Sequence, residues 1–198
     1  IIERSTWGGT CLNRGCVPKQ AWYQTARLMD HKDQLAARGL RGVLVPDLDQ
    51  AWRDQRRSVE TVRASYVDYL ARLGVRAYFG DARFCAPGEI DVQGSGRVRA
   101  AHVVIATGSA PVVPAALPLH ANRVLTADAL FDHPPPQGKR VAVVGSGVVG
   151  TEMAFILAML GLEVVWLTHS EALSRSRYST HALRLLRAAL RDRGIAPR

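Results

Sequence analysis

The stretch "KRVAVVGSGVVGTEMAFILAMLGLEVVWLTHS", Lys139 to Ser170, reads as strand, glycine turn, helix and strand in immediate succession. A β-branched run, Val141 to Val144, leads into Gly145, Gly147 and Gly150 at the spacing G-x-G-x-x-G, and Gly161 stands where a helix must stop before the second strand. This pattern predicts a βαβ unit with two parallel strands. The glycine spacing alone is weak, but between a strand and a helix it has a mechanism. The first glycine permits a tight turn, the second lets a pyrophosphate approach the backbone, and the third lets the helix pack on the strand. Free N–H groups at the helix start then face the phosphates. A site for NAD normally carries an acid at the tip of the second strand, whereas this tip reads Leu167-Thr168-His169-Ser170. Arg175 and Arg177 follow and suit a 2′-phosphate, which favours NADP over NAD, although Glu171 lies close to them.

Working outward, a last amphipathic helix is expected over about Ser179 to Arg193, with Leu183, Leu186 and Leu190 on its apolar face. Residues Ala110 to Lys139 hold most of the prolines and read as a crossover with a short helix at Ala127 to Phe131. A boundary near Gly138 therefore divides the chain into 1–138 and 139–198. Upstream, "VRAYFGDARFC" and "EIDVQGSGRVRAAHVVIATG" are strand-like, with "QGSGR" as a hairpin turn. Helical periodicity runs from Cys16 to about Arg38, through Trp22, Ala26, Met29 and Leu35, and ends at Gly39. A second helix is expected from about Leu48 to Leu73, burying Val59, Val62, Tyr66, Tyr69, Leu70 and Leu73 and stopping at Gly74. The opening "IIERSTWGG" reads as the end of a buried strand with Glu3 at its tip.

Bulk properties exclude several classes. With 198 residues, of which 47% are hydrophobic and 22% charged, the chain can bury a core and is expected to be globular. No signal peptide is evident, and the apolar run Ala154 to Leu167 is interrupted by Gly161 and Glu163 and is too short to span a bilayer. A soluble, cytoplasmic protein with no membrane partner is expected. The net charge of +9 comes from arginines scattered along the chain, with lysine only at Lys19, Lys32 and Lys139, so no nucleic-acid stripe forms.

Of three cysteines, Cys85 in "ARFCA" reads as a small buried hydrophobe. Cys11 and Cys16 sit in "TWGGTCLNRGCVPKQ", Thr6 to Gln20. Two cysteines do not complete a tetrahedral zinc site, and no other cysteine or histidine stands at ligand spacing, so no metal is expected. A structural staple across so short a loop gains little chain entropy. Redox work remains, and a thiol at a helix start has its thiolate favoured by the helix dipole.

"GGTCLNRGCVPK" resembles the active-site signature of the pyridine nucleotide–disulfide oxidoreductases, flavoenzymes such as dihydrolipoyl dehydrogenase, glutathione reductase and mercuric reductase. "VVIATGSAPVVP" is similar to the segment closing the first part of that family's FAD domain, and "VAVVGSGVVGTE" to its NAD(P) motif, in the same order. The resemblance implies an α/β chain: an FAD-binding Rossmann-like domain, incomplete at its N-terminus and carrying a β-meander, followed by a partial NAD(P)-binding Rossmann domain. It implies FAD and NADP or NAD as cofactors. Cys11 is then the interchange thiol, and Cys16 the thiol beside the flavin that forms a charge-transfer complex with it. Lys19 pairs with Glu152 near the flavin. Glu3 holds the FAD ribose, and Gly9, Thr10, Thr107 and Gly108 belong to the same cofactor's site; Gly145, Gly147, Gly150 and Arg175 serve the nicotinamide dinucleotide.

Several positions depart from that family's patterns. "LNRGC" is similar to dihydrolipoyl dehydrogenases, Lys19 directly after Pro18 is more like glutathione reductases, and Gln20 replaces a lysine common in both. Val148 stands where glutathione reductases tend to carry a tyrosine. None of the histidines falls in a matching motif, so no base is named. The expected function is an FAD-dependent NAD(P)H:disulfide oxidoreductase resembling dihydrolipoyl dehydrogenase, acting as a homodimer on a small-molecule or protein-bound disulfide or dithiol. Glutathione reductase-like and mercuric reductase-like enzymes are the alternatives, and a non-catalytic redox-sensing module is the alternative of another class. The chain reads as an internal piece of such an enzyme, expected to bind FAD weakly and turn over nothing alone.

Overall fold

A computed structural model describes residues 1–120, 123–133, 138–169, 173 and 178–196. Strand β6 (Arg140–Val144), helix α6 (Val148–Met159) and strand β7 (Glu163–Leu167) form the expected βαβ unit, the strands pairing in parallel from Arg140 opposite Glu163 to Val144 opposite Leu167. Gly161, at φ +86°, ends the turn after α6 in the left-handed region that favours glycine. Helix α7 (Thr180–Asp192) begins where the Ser179 hydroxyl accepts from the Ala182 amide. It closes one apolar cluster of Ala154, Trp166, Leu190 and Ile195.

On its other side α6 meets helix α2 (Cys16–Asp30). The largest apolar cluster joins Trp22 and Ala26 of α2, Phe131, and Met153, Ile156, Leu157, Leu160 and Leu162. Trp22 and Phe131 meet edge to face at 5.5 Å. This core draws on both sides of residue 138. Helix α1 (Gly9–Arg14) precedes α2, and α4 (Leu48–Arg72), capped by Asp47 through the Gln50 amide at 2.8 Å, packs along α1 and α2. Phe131 follows the short helix α5 (Ala127–Leu130), found where the sequence placed it.

Strands β3 (Ala82–Ala86), β4 (Glu89–Val92) and β5 (Gly96–Arg99) make the β-meander, with the hairpin turn at residues 93–95. β1 (Ile2–Glu3) pairs in parallel with β2 (Tyr78–Phe79).

Five expectations are corrected. The helix from Cys16 breaks at His31, whose ψ of 9° leaves the helical region, and restarts as α3 (Lys32–Ala37). Beside the break Asp30 turns to Arg193, beyond the end of α7, accepting from Nη2 at 2.7 and 2.9 Å. The inner face of α4 is buried only as far as Val59, and Tyr66, Tyr69 and Leu73 are exposed because α1 and α2 cover its first half. The opening strand is not buried: Ile1 is 58% exposed and β1 touches β2 along one edge. Cys85 is exposed, at a bulge where the β3–β4 register shifts between Phe84 and Ala86, on a strand whose residues are all exposed. Val103 to Ile105 form no strand, since residues 103–114 have no ladder partner among the described residues.

Candidate redox and dinucleotide site

Helix α1 carries Cys11 and α2 begins at Cys16, with Gly15 between them. Both cysteines are exposed, Cys11 on α1 and Cys16 at the first position of α2. Gly15 supplies no side-chain cap at the start of α2. All three cysteines are free thiols in this structure. The hydrogen bond with the Cys16 thiol, then burial and the proximity of the Cys16 thiolate charge, push the Cys11 thiol above its ordinary value; the Cys16 amide and the Lys19 charge pull the other way.

Lys19, one turn beyond Cys16, donates its backbone N–H to the Gly15 carbonyl at 3.1 Å and its Nζ to Glu152 Oε2 at 2.7 Å. Their side chains are 23% and 39% exposed, so the pair adds little stability, about 0–1 kcal/mol. Its consequence is geometric: it fixes the helix bearing Cys16 to the helix that follows the glycine turn. A cavity of ≈ 430 Å³ opens beside this pair between α2, α6 and α7, walled by Tyr23, Val148, Phe155, Met159 and Leu186.

The three glycines differ in what demands them. Gly145, at φ +123°, makes the turn after β6. A Cβ on Gly150 would collide with the Gly145 carbonyl oxygen, which already accepts from the Trp166 indole N–H at 2.8 Å. Gly147 has φ −79° and ψ −177°, extended backbone open to any residue, and a Cβ there would meet nothing within 4 Å. Among the described residues no contact demands glycine at 147, and the open space beside it lies at the N-terminus of the 12-residue α6, where backbone N–H groups and the helix dipole favour an anion.

Glu3 is not a loose tip acid. Its Oε1 accepts from the Ser5 amide at 2.9 Å and from the Thr6 amide and the Ser5 hydroxyl at 3.3 Å. Burial raises its pKa, but those donors together with the Arg4 amide outweigh it and hold the carboxyl below its ordinary value. An ionised acceptor at this place suits a ribose. Gly9 opens α1 at φ +61° and Thr10 follows it, both exposed. Thr107 and Gly108 lie in the exposed stretch 103–114, Gly108 at φ +77° with no atom within 4 Å of a Cβ. Gly9 and Gly108 therefore leave open faces that FAD could approach. Thr168 continues β7 where the acid was missing; Glu171, Arg175 and Arg177 lie outside the described residues.

Four site-supporting residues carried no role in the sequence reading: Asn13, Arg63, Asp132 and Trp166. Asn13 donates Nδ2 to the Trp7 and Gly9 carbonyls at 3.0 and 2.8 Å, and Oδ1 accepts Arg63 Nε at 3.0 Å and Nη2 at 2.7 Å. Asp132 accepts from Arg14 at 2.8 Å and Arg56 at 3.1 Å. Only Trp166, at a strand position between Val165 and Leu167, had a sequence signal, that of a core aromatic.

The family model for pyridine nucleotide-disulphide oxidoreductases matches residues 1–198. The chain is 32% identical over 174 residues to a dihydrolipoyl dehydrogenase of Pseudomonas aeruginosa, covering 83% of this chain and 37% of that protein. It is 28% identical over 197 residues to a mercuric reductase of Lysinibacillus sphaericus, covering 98% and 36%. A glutathione reductase of Burkholderia cepacia is 30% identical over 173 residues, covering 84% and 36%. The chain thus spans little more than a third of these relatives' length. Among solved structures, LpdA from Mycobacterium tuberculosis superposes with a TM-score of 0.86 at 22% identity, over 100% of this chain and 44% of that one. The HOCl-induced flavoprotein disulfide reductase RclA from Escherichia coli gives 0.80 at 23% identity, over 100% and 42%. The adjoining cysteines, the Lys19–Glu152 bridge, the glycine turn and a match along the full chain agree: this chain belongs to the pyridine nucleotide-disulphide oxidoreductase family.

Proposed function

We propose that the chain carries the redox-active pair Cys11–Cys16 of an FAD-dependent NAD(P)H:disulfide oxidoreductase, similar to dihydrolipoyl dehydrogenase, acting on a small-molecule or protein-bound disulfide or dithiol. The observation that carries this is the placement of Cys11 on α1 and Cys16 at the start of α2 on either side of the Gly15 turn, with α2 bridged by Lys19 to Glu152 after the glycine turn. Gly147 with the N-terminus of α6 holds the nicotinamide dinucleotide, and Glu3, Gly9, Thr10, Thr107 and Gly108 hold FAD. When bound, the two cofactors supply hydride transfer from nicotinamide to flavin and a reductant for the disulfide.

The chain's own residues do the thiol chemistry. Cys11, exposed, attacks the substrate disulfide once it has lost its proton, breaking the substrate S–S bond to form a mixed disulfide and release one substrate thiol, and Cys16 then displaces the second substrate thiol to close the Cys11–Cys16 bond. Lys19, the cation whose charge reaches Cys11, partly offsets the neighbouring sulfur that holds Cys11 protonated, while Glu152 holds the ammonium in place.

The test is thiol counting on the full-length, flavin-loaded protein. NADPH or NADH should convert the oxidised protein to one carrying a further pair of alkylatable thiols, with a long-wavelength absorbance band that Cys16→Ser abolishes. No gain in thiols overturns the redox reading. A gain in thiols without turnover of any disulfide would favour the redox-sensing module. Arg175→Ala should slow reduction by NADPH more than by NADH, and equal rates before and after the change would remove the phosphate preference.

A further inference from the structure

Helix α1, which carries Cys11, has 6 residues and cannot hold itself in place. No side chain caps its start, and Gly8 and Gly9, at φ +104° and +61°, leave it hinged on two glycines. Its position is imposed from outside. Leu12, 3% exposed, seats one face. The polar anchor is Asn13, two residues after Cys11 and three before Cys16. With both amide hydrogens given to the Trp7 and Gly9 carbonyls and its oxygen taken by two nitrogens of Arg63, Asn13 has every donor and acceptor satisfied. Arg63 projects from the middle of α4 and is half-buried. The second tether, Arg14 to Asp132, is weaker because its side chains are 53% and 39% exposed.

We propose that Arg63 is a positioning residue for the redox pair: through Asn13 it locks α1 against α2 and so sets the balance between the Cys11–Cys16 dithiol and its disulfide. The inference rests on the reading of Cys11 and Cys16 as a redox pair. A disulfide tolerates Cβ separations of only about 3.5–4.5 Å, so small displacements of α1 change how readily the bond closes. The guanidinium fork matters more than its charge, because two N–H groups converge on one oxygen.

The equilibrium to measure is exchange with oxidised dithiothreitol in the full-length protein. The Cys11 and Cys16 thiols give up two electrons and two protons, an S–S bond forms between them, and the dithiothreitol disulfide breaks to its dithiol. Alkylation and mass measurement read the ratio. Arg63→Ala should shift this equilibrium constant away from the disulfide by about threefold to tenfold, and Asn13→Ala by a similar factor. The double variant should go no further than Asn13→Ala alone, since Arg63 acts through Asn13. Arg53→Ala, which removes a bond to Gln50 within α4, should leave the constant unchanged. If the unmodified protein forms no Cys11–Cys16 disulfide, the redox reading itself fails. If it does form and Arg63→Ala leaves the constant within about twofold, or the two single shifts multiply in the double variant, Arg63 has no positioning role. Should Arg63→Ala not fold, Arg63→Lys replaces it: the single ammonium should still shift the constant by about threefold, and an unchanged constant overturns the proposal.

Discussion

Two runs of this chain look alike and end differently. "VAVVG", Val141 to Gly145, and "VVIATG", Val103 to Gly108, are both β-branched and apolar, and each ends in a glycine with positive φ, +123° and +77°. The first lies in β6, paired residue by residue with β7 and covered by α6. The second is in no strand; Val104 is 87% and Ile105 70% exposed. Pattern at that scale is therefore a preference that a partner must complete. A strand leaves half its backbone groups unpaired until another strand arrives.

The comparison can be broken most severely at Trp166. It is fully buried, and its indole N–H holds the Gly145 carbonyl, so Trp166→Ala should cost about 3–5 kcal/mol in chemical denaturation. A loss no larger than that of an exposed residue would mean that the βαβ unit does not owe its order to this packing. Next comes Gly150→Ala, which sets a methyl against the Gly145 carbonyl and should destabilise by about 1–3 kcal/mol, while Gly147→Ala, with open space around it, should leave stability within about 0.5 kcal/mol. Measured together, the two alanines separate a glycine required by the fold from one required by a ligand: only Gly147→Ala should weaken dinucleotide binding in the intact protein without lowering its melting temperature.

A smaller contrast lies in the paired and unpaired runs themselves. Val143→Thr inserts a hydroxyl into a packed strand and should cost about 1–3 kcal/mol, against under about 0.5 kcal/mol for Val104→Thr in this chain. A comparable loss for Val104→Thr in the full-length protein would reveal a strand partner supplied from beyond residues 1–198. The smallest effect concerns Glu3. Its folded pKa is held below the unfolded one, so its contribution to stability is present above the unfolded value and lost as pH falls through the folded value. The melting-temperature difference between the protein and Glu3→Gln should shrink to nothing across that acidic window. A difference that persisted below it would show that the loop does not depend on the ionised carboxylate.

Legibility followed sequence separation. The βαβ unit, the hairpin at residues 93–95, helix α5 and the start of α7 were all readable, because glycine turns, caps and periodicity act within a dozen residues. The long helix expected from Cys16 failed at His31, where the periodicity runs on but the backbone does not. Cys85 was misread as buried because alternation along β3 reports a preference for a covered face, and β3 is exposed along its whole length while burial in that sheet falls on Ile90 and Val92 of β4. At the site, the Lys19–Glu152 bridge was anticipated through resemblance, whereas Arg63, fifty positions from Asn13, left no trace in either residue's surroundings.

The sequence by itself determined the chemistry available to this protein: two cysteines flanked by glycine and Val-Pro-Lys, and a glycine turn set between a strand and a helix. Those are properties of residues near one another along the chain, where backbone conformation and spacing decide. Only the tertiary structure decided how the chemistry is held: which glycine the fold itself requires, which apolar run finds a partner, and that a one-and-a-half-turn helix bearing Cys11 is fixed from α4. Those outcomes depend on close contacts between segments far apart in sequence, and a hydrogen bond or a collision exists only once both are in place.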